Sequence, residues 1–189
     1  MRVILLGAGS ERLEPFLLSQ GERTFVFEGP IESMGQFFPE DWVVSYGYRH
    51  ILKDTFTRYF QRRPINLHIS LLPWNRGADP NLWSFLENTP RGVSIHEIDA
   101  GLDTGPLLLQ KEVEFQEGET LKSSYEKLQS AVEQLFSENW QKLRDGLVPA
   151  QPQSGKGSYH RSSDKAQFAS LFSKGWDTPI SQFIGKALR

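Results

Sequence analysis

The feature that most constrains this chain is a recurrence: a short apolar run, a turn, then a helix-like segment. Arg2-Val3-Ile4-Leu5-Leu6 runs into Gly7-Ala8-Gly9-Ser10, and residues 11–20 read as a helix with Ser10 as its N-cap. A second short run covers residues 24–27. Trp42-Val43-Val44-Ser45-Tyr46 is a third, followed by a helix-like stretch at residues 51–60. The fourth is Ile65-Asn66-Leu67-His68-Ile69-Ser70. Strands that alternate with helices predict an α/β fold, a doubly wound and mostly parallel sheet in a single domain. Gly7-x-Gly9 after the first run suggests a nucleotide-binding turn, but Arg12 stands where the dinucleotide fingerprint needs its third glycine.

Beyond Pro80, residues 81–87 read as a short amphipathic helix and residues 91–98 alternate as a strand. Asp99-Ala100-Gly101-Leu102-Asp103-Thr104-Gly105 is a loop, and residues 107–115 are a further strand. From Thr120 the period is helical: Leu121, Tyr125, Leu128, Val132, Leu135, Phe136, Trp140, Leu143 and Leu147 form one core-facing stripe. Residues 1–147 thus make the body of the domain. Residues 148–189 are a loop returning over the sheet, with short helices near 165–172 and 179–188 packed on the same domain.

Composition excludes several classes. A formal charge of -2 over 189 residues gives no electrostatic case for a nucleic-acid or membrane surface. The absence of Cys excludes disulfides and thiol nucleophiles and suits a reducing cytoplasm. No apolar run is long enough for a membrane span. The four His residues carry no H-E-x-x-H spacing, so no metal site is expected.

Candidate chemistry lies on the fourth run. Side chains of a strand alternate faces, so Asn66, His68 and Ser70 share one face and Ile65, Leu67 and Ile69 the other. Such a face is also compatible with a half-buried strand that meets water. In an open parallel sheet, ligands bind at the carboxyl ends of the strands. Ser45-Tyr46-Gly47-Tyr48, Asn66 with His68, and the loop holding Asp99 and Asp103 all fall at such ends. An amide N–H that holds a developing oxyanion, an imidazole that titrates near neutrality and a carboxylate suit acyl-type transfer to an amine. No nucleophile elbow accompanies them, which favours direct transfer. His96 reads as a pocket wall or a hydrogen-bonded strand residue.

Asn66-x-His68-x-Ser70-Leu71-Leu72-Pro73, then Gly92-Val93-Ser94-Ile95-His96 and Asp99-x-Gly101-Leu102-Asp103-Thr104-Gly105, resembles the formyltransferases that use 10-formyltetrahydrofolate. The resemblance covers residues 41–147 well and the N-terminal strands loosely. It implies the Rossmann-like formyltransferase fold, with residues 1–147 as the catalytic domain. It assigns Asn66, His68 and Asp103 as the catalytic triad and gives Asp99 a structural or cofactor-contacting role. It places the folate co-substrate on Tyr48, His50, Ile51, Leu52, Ile98, Asp99 and Ala100.

Within the family, Leu72-Pro73-Trp74-Asn75-Arg76-Gly77-Ala78-Asp79-Pro80 resembles the branch that formylates nucleotide-linked amino sugars. That branch implies an amino sugar nucleotide as the small-molecule partner, with Tyr46, Trp74, Asn75 and Arg76 as substrate contacts, and leaves a homodimer open. Glycinamide ribonucleotide, methionyl-tRNA or water as the formyl acceptor are the alternatives. Glu11 stands where the purine-pathway enzymes place Asn beside a phosphate, and a carboxylate there disfavours that substrate.

Overall fold

The apolar runs become strands because each meets apolar neighbours on both sides. In the computed structural model, which describes residues 1–188, the first four are β1 (Arg2–Leu6), β2 (Arg23–Phe27), β3 (Trp42–Tyr46) and β4 (Ile65–His68). A two-residue β5 (Arg76–Gly77) precedes β6 (Gly92–Glu97) and β7 (Leu107–Glu112), and a second short strand, β8 (Tyr159–His160), pairs with β5. The main sheet has six strands in the order β2-β1-β3-β4-β6-β7. Its first four are parallel, and β6 and β7 are antiparallel additions at one edge. Residues 98–106 are too few for the crossover a parallel return requires, so β7 doubles straight back on β6.

The pleat sorts the core. Val3, Leu5, Trp42, Val44, Tyr46, Ile65 and Leu67 face one way. On them pack α1 (Ser10–Ser19) through Leu13 and Leu17, and the long terminal helix (Leu121–Arg144) through Leu128, Val132, Phe136 and Trp140. Ile4, Leu6 and Val43 face the other way, under Phe37, Phe56 and Phe60. Ser45 and Asn66, one residue out of phase with the first set, therefore belong to this second side.

Several expectations change. The stretch 51–60 holds only one helical turn, α2 (Asp54–Thr57), entered from extended Lys53, while Ile51 and Leu52 line a cavity instead. Ser10 is no N-cap: Gly9 takes that place and the Ser10 hydroxyl is buried without a partner. The strand at 65–70 ends at His68, where Ser70 turns its hydroxyl onto the Trp74 carbonyl. The helix α3 (Pro80–Leu86) is buried from Asn81 to Leu86 rather than amphipathic, because Phe168, Ile180 and Phe183 of the C-terminal segment cover its outer side. That segment is built of 3₁₀ turns, Asp164–Leu171, Gly175–Asp177 and Ile180–Gln182. The long helix, α4 (Leu121–Arg144), starts from a Thr120/Ser123 capping box and stops before Leu147, which is exposed. Among the described residues, no helix is long and apolar enough to cross a membrane.

Candidate active site

The parallel pairing of β3 with β4 sets Ser45 beside Asn66, and the antiparallel pairing of β4 with β6 sets Asn66 beside His96. The loop between β6 and β7 then folds Asp103 over the end of β4. Asp103 holds a left-handed backbone at φ 55, supported by bonds from Gln153 Nε2 to the carbonyls of Asp103 and Gly105 at 2.8 Å each.

Four side chains meet there. Asn66 Nδ2 donates to Asp103 Oδ1 at 3.2 Å and lies 3.3 Å from His96 Nε2. His96 Nδ1 faces the Glu97 carbonyl at 2.7 Å. A carbonyl only accepts, so in the neutral ring the proton sits on Nδ1 and bare Nε2 accepts from Asn66. Both hydrogens of the Asn66 amide are thereby engaged. His68 differs in that both its nitrogens face acceptors: Nε2 meets the Asn75 carbonyl at 3.2 Å, and Nδ1 faces Asp103 Oδ2 at 3.7 Å. The Gly77 amide donates to the same carboxylate oxygen at 2.9 Å.

Charge follows from these contacts. Burial holds the His68 imidazole below its ordinary value, and the facing Asp103 only partly offsets it. Burial pushes Asp103 upward, but His68, His96 and the Gly77 amide outweigh it and hold the carboxyl well below the usual range. The resting pair is a neutral imidazole beside a carboxylate, with the basic nitrogen turned toward that carboxylate. A proton arriving at Nδ1 would complete an ion pair, so the site is arranged to accept one.

Asn66, His96 and Asp103 line a cavity of about 390 Å³. Every residue expected to hold the cofactor is on its wall: Tyr48, His50, Ile51, Leu52, Ile98, Asp99 and Ala100. Ser45, Arg49, Gly101, Leu102 and Tyr159 complete it. Asp99 carries a structural load as well, accepting from the Gly101 amide and the Thr104 hydroxyl. Among the described residues, no group of three or more His, Asp and Glu could hold a metal ion.

The expected substrate contacts fare differently. Tyr46 is buried on the opposite face of the sheet, its ring under Gly9 and its hydroxyl on Glu133 at 2.9 Å; the pleat gives the cavity to Ser45 instead. Asn75 is fully buried and its amide is consumed by Glu87, Ser158 and Thr89, so its side chain is scaffold. Arg76 spends its guanidinium on Gln153 at 2.6 Å, and neither it nor half-buried Trp74 lines the cavity that holds Asn66. His96, expected as a pocket wall or a hydrogen-bonded strand residue, is both, and strand register brings it beside Asn66.

A profile of the formyl transferase family matches residues 22–139, a segment that contains Asn66, His68, His96 and Asp103. The chain belongs to the formyl transferase family. It is 39% identical over 118 residues to a methionyl-tRNA formyltransferase of Thermodesulfovibrio yellowstonii, covering 62% of this chain and 38% of that one. It is 32% identical over 109 residues to a dTDP-4-amino-4,6-dideoxyglucose formyltransferase of Mycobacterium tuberculosis, covering 58% of this chain and 47% of that one. The chain therefore spans less than half the length of these curated relatives. A solved structure is similar throughout: formyltransferase PseJ from Anoxybacillus kamchatkensis, at 44% identity and TM-score 0.94, covering 99% of this chain and 100% of that one. That formyltransferase was solved in complex with UDP-4,6-dideoxy-4-formamido-L-AltNAc and tetrahydrofolate.

Proposed function

We propose that this protein transfers a formyl group from 10-formyltetrahydrofolate to the primary amine of a nucleotide-linked amino sugar. The observation that carries the reading is the cluster of Asn66, His68 and Asp103: Asn66 and Asp103 stand at the wall of the 390 Å³ cavity, and buried His68 faces Asp103 from behind it. The full-length likeness to a formyltransferase that binds a formamido sugar nucleotide supports this class of acceptor over others.

The cavity suits a folate. Ile51, Leu52, Ile98 and Leu102 offer apolar walls, Arg49, His50, Asp99 and Tyr159 offer polar groups at the edges, and the volume falls within the range of roughly 300–1,000 Å³ typical of ligand sites. Bound there, the co-substrate supplies the formyl carbon, and the proton lost by the amine balances the one gained by the departing folate nitrogen.

The chain's own residues then divide the work. The His68–Asp103 pair, with Asp103 at the cavity wall and His68 behind it, takes the amine proton and delivers one to the departing folate nitrogen, serving as base and then acid, while the facing charges of carboxylate and imidazolium stabilise each other between the two steps. Asn66 carries the charge developing on the formyl oxygen. Because both its hydrogens are engaged at rest, it does so by exchanging His96 for that oxygen. A second cavity of about 280 Å³ is lined by Ile69, the residue after β4, with Tyr125, Phe172, Trp176 and the Lys165–Asp79 ion pair. Its aromatic walls suit a nucleotide's base.

The test is direct. The protein, 10-formyltetrahydrofolate and a panel of UDP- and dTDP-linked amino sugars are incubated and read by mass spectrometry. A gain of one formyl group on an amino sugar supports the proposal. Formate release without acceptor at the same rate, or formylation only of glycinamide ribonucleotide or methionyl-tRNA, overturns it.

A further inference from the structure

The return segment after α4 lies outside the family-matched residues, yet it touches the triad's supports at three points. The first is Ser158. Its hydroxyl accepts from the Asn75 backbone N–H at 3.0 Å and donates to Glu87 at 2.8 Å. Asn75 is fully buried in a left-handed backbone at φ 57, a conformation that a non-glycine residue keeps only when its surroundings impose it. Those surroundings are Ser158, Glu87 and Thr89, and the result is a carbonyl aimed at His68 Nε2.

The second is Gln153. It donates to the carbonyls of Asp103 and Gly105 and accepts from Arg76 through Nε at 3.1 Å and the terminal nitrogen at 2.6 Å. One amide thereby ties the loop of Asp103 to the strand that carries the Gly77 amide. The third is β8 itself. Its pairing with β5 sets Gly77 opposite His160, and Gly77 is the residue whose N–H holds Asp103 Oδ2. His160 is anchored in turn, stacked on Trp83 at 3.7 Å and 3.1 Å from Glu87.

We infer that residues 151–160 form a positioning strap for the catalytic pair: Ser158, acting through Asn75, fixes the tautomer of His68, and Gln153 fixes Asp103. The inference rests on the reading above that His68 and Asp103 act in formyl transfer. Neither strap residue contacts a reacting atom. Each acts by keeping a proton-handling group within hydrogen-bond geometry, where a displacement of about 1 Å costs up to roughly 100-fold in rate.

The experiment is a double-mutant cycle on the full chain, with 10-formyltetrahydrofolate and UDP-linked 4-amino-4,6-dideoxy-L-AltNAc as the amine. Gln153→Ala is expected to lower kcat about 10- to 100-fold with the KM for folate unchanged. On an Asp103→Asn background the same change is expected to cost less than about two-fold, because the group it positions is already lost. Ser158→Ala is expected to lower kcat likewise, and Ser158→Thr, which keeps the hydroxyl, to restore most of it. Thermal melting keeps a folding defect apart from a positioning one. Equal losses in both backgrounds, a raised KM with kcat intact, or no effect of either alanine overturns the strap. Undiminished turnover by Asp103→Asn itself overturns the underlying reading instead.

Discussion

His68 Nδ1 faces Asp103 Oδ2 at 3.7 Å while its other ring nitrogen is spent on the Asn75 carbonyl. Only one edge of this imidazole is therefore free to handle a proton. On the proposed roles, the neutral ring that burial favours is the form that accepts the proton.

The pH profile follows with a definite sign. Burial lowers the His68 pKa below its ordinary 6.5, so the ring stays neutral through neutrality and charges only in more acidic solution. The acid limb of kcat/KM for the free enzyme should have its midpoint below 6.5. A midpoint at or above that value would show that a different group controls the limb.

Asn66 is the donor nearest the reacting carbonyl in this scheme. Replacing it with Ala should lower kcat by roughly 100- to 1,000-fold, the cost of removing one oxyanion donor. The KM for folate should change little, since the cavity walls stay in place. Stopped-assay product quantification at saturating co-substrate distinguishes the two parameters.

Ile51 is 88% exposed at the mouth of the cavity, an unusual position for an isoleucine that covers nothing in the free protein. Ile51→Ser should weaken folate binding by about 5- to 30-fold, as expected for losing about 1–2 kcal/mol of apolar contact, and leave melting temperature unchanged. Tryptophan-independent binding by calorimetry reads the affinity directly. Unchanged affinity would place the co-substrate elsewhere.

Gly105 has no room for a side chain, because a Cβ there would collide with the Glu97 carbonyl. Gly105→Ala should shift the loop of Asp103 and reduce turnover far more than stability. The companion measurement is Phe136→Ala, which removes a fully buried ring packed on Phe16 and Trp140 and should cost about 3–5 kcal/mol by denaturant titration.

Much of the architecture was legible because hydrophobic period reports it directly. Val3 to Leu6 and Trp42 to Val44 are apolar on both faces, which only a covered sheet tolerates, and the stripe from Leu121 to Leu143 names the packing face of α4. The short α2 was not legible, since Phe56 and Phe60 have helical spacing whether they close a helix or pack singly under Phe37. At the site, Asn66 and His68 stand out by alternation and Asp103 by its loop. His96 was legible as a pocket or strand residue, but its pairing with Asn66 required knowing that β6 runs antiparallel to β4, a long-range fact. Tyr46 and Asn75 look like pocket residues by position and are buried by geometry: one by the pleat, the other by a backbone turned inward at positive φ.

The strap also sets an order of events during synthesis. Ser158 meets a partner 83 positions earlier and Gln153 one 50 positions earlier, so these bonds close after the sheet they lie on. A nascent chain that has released α4 can bury its main core while His68 and Asp103 still lack their outer supports. On the proposed roles of His68 and Asp103, competence for proton transfer is then expected as a late, separate step of folding.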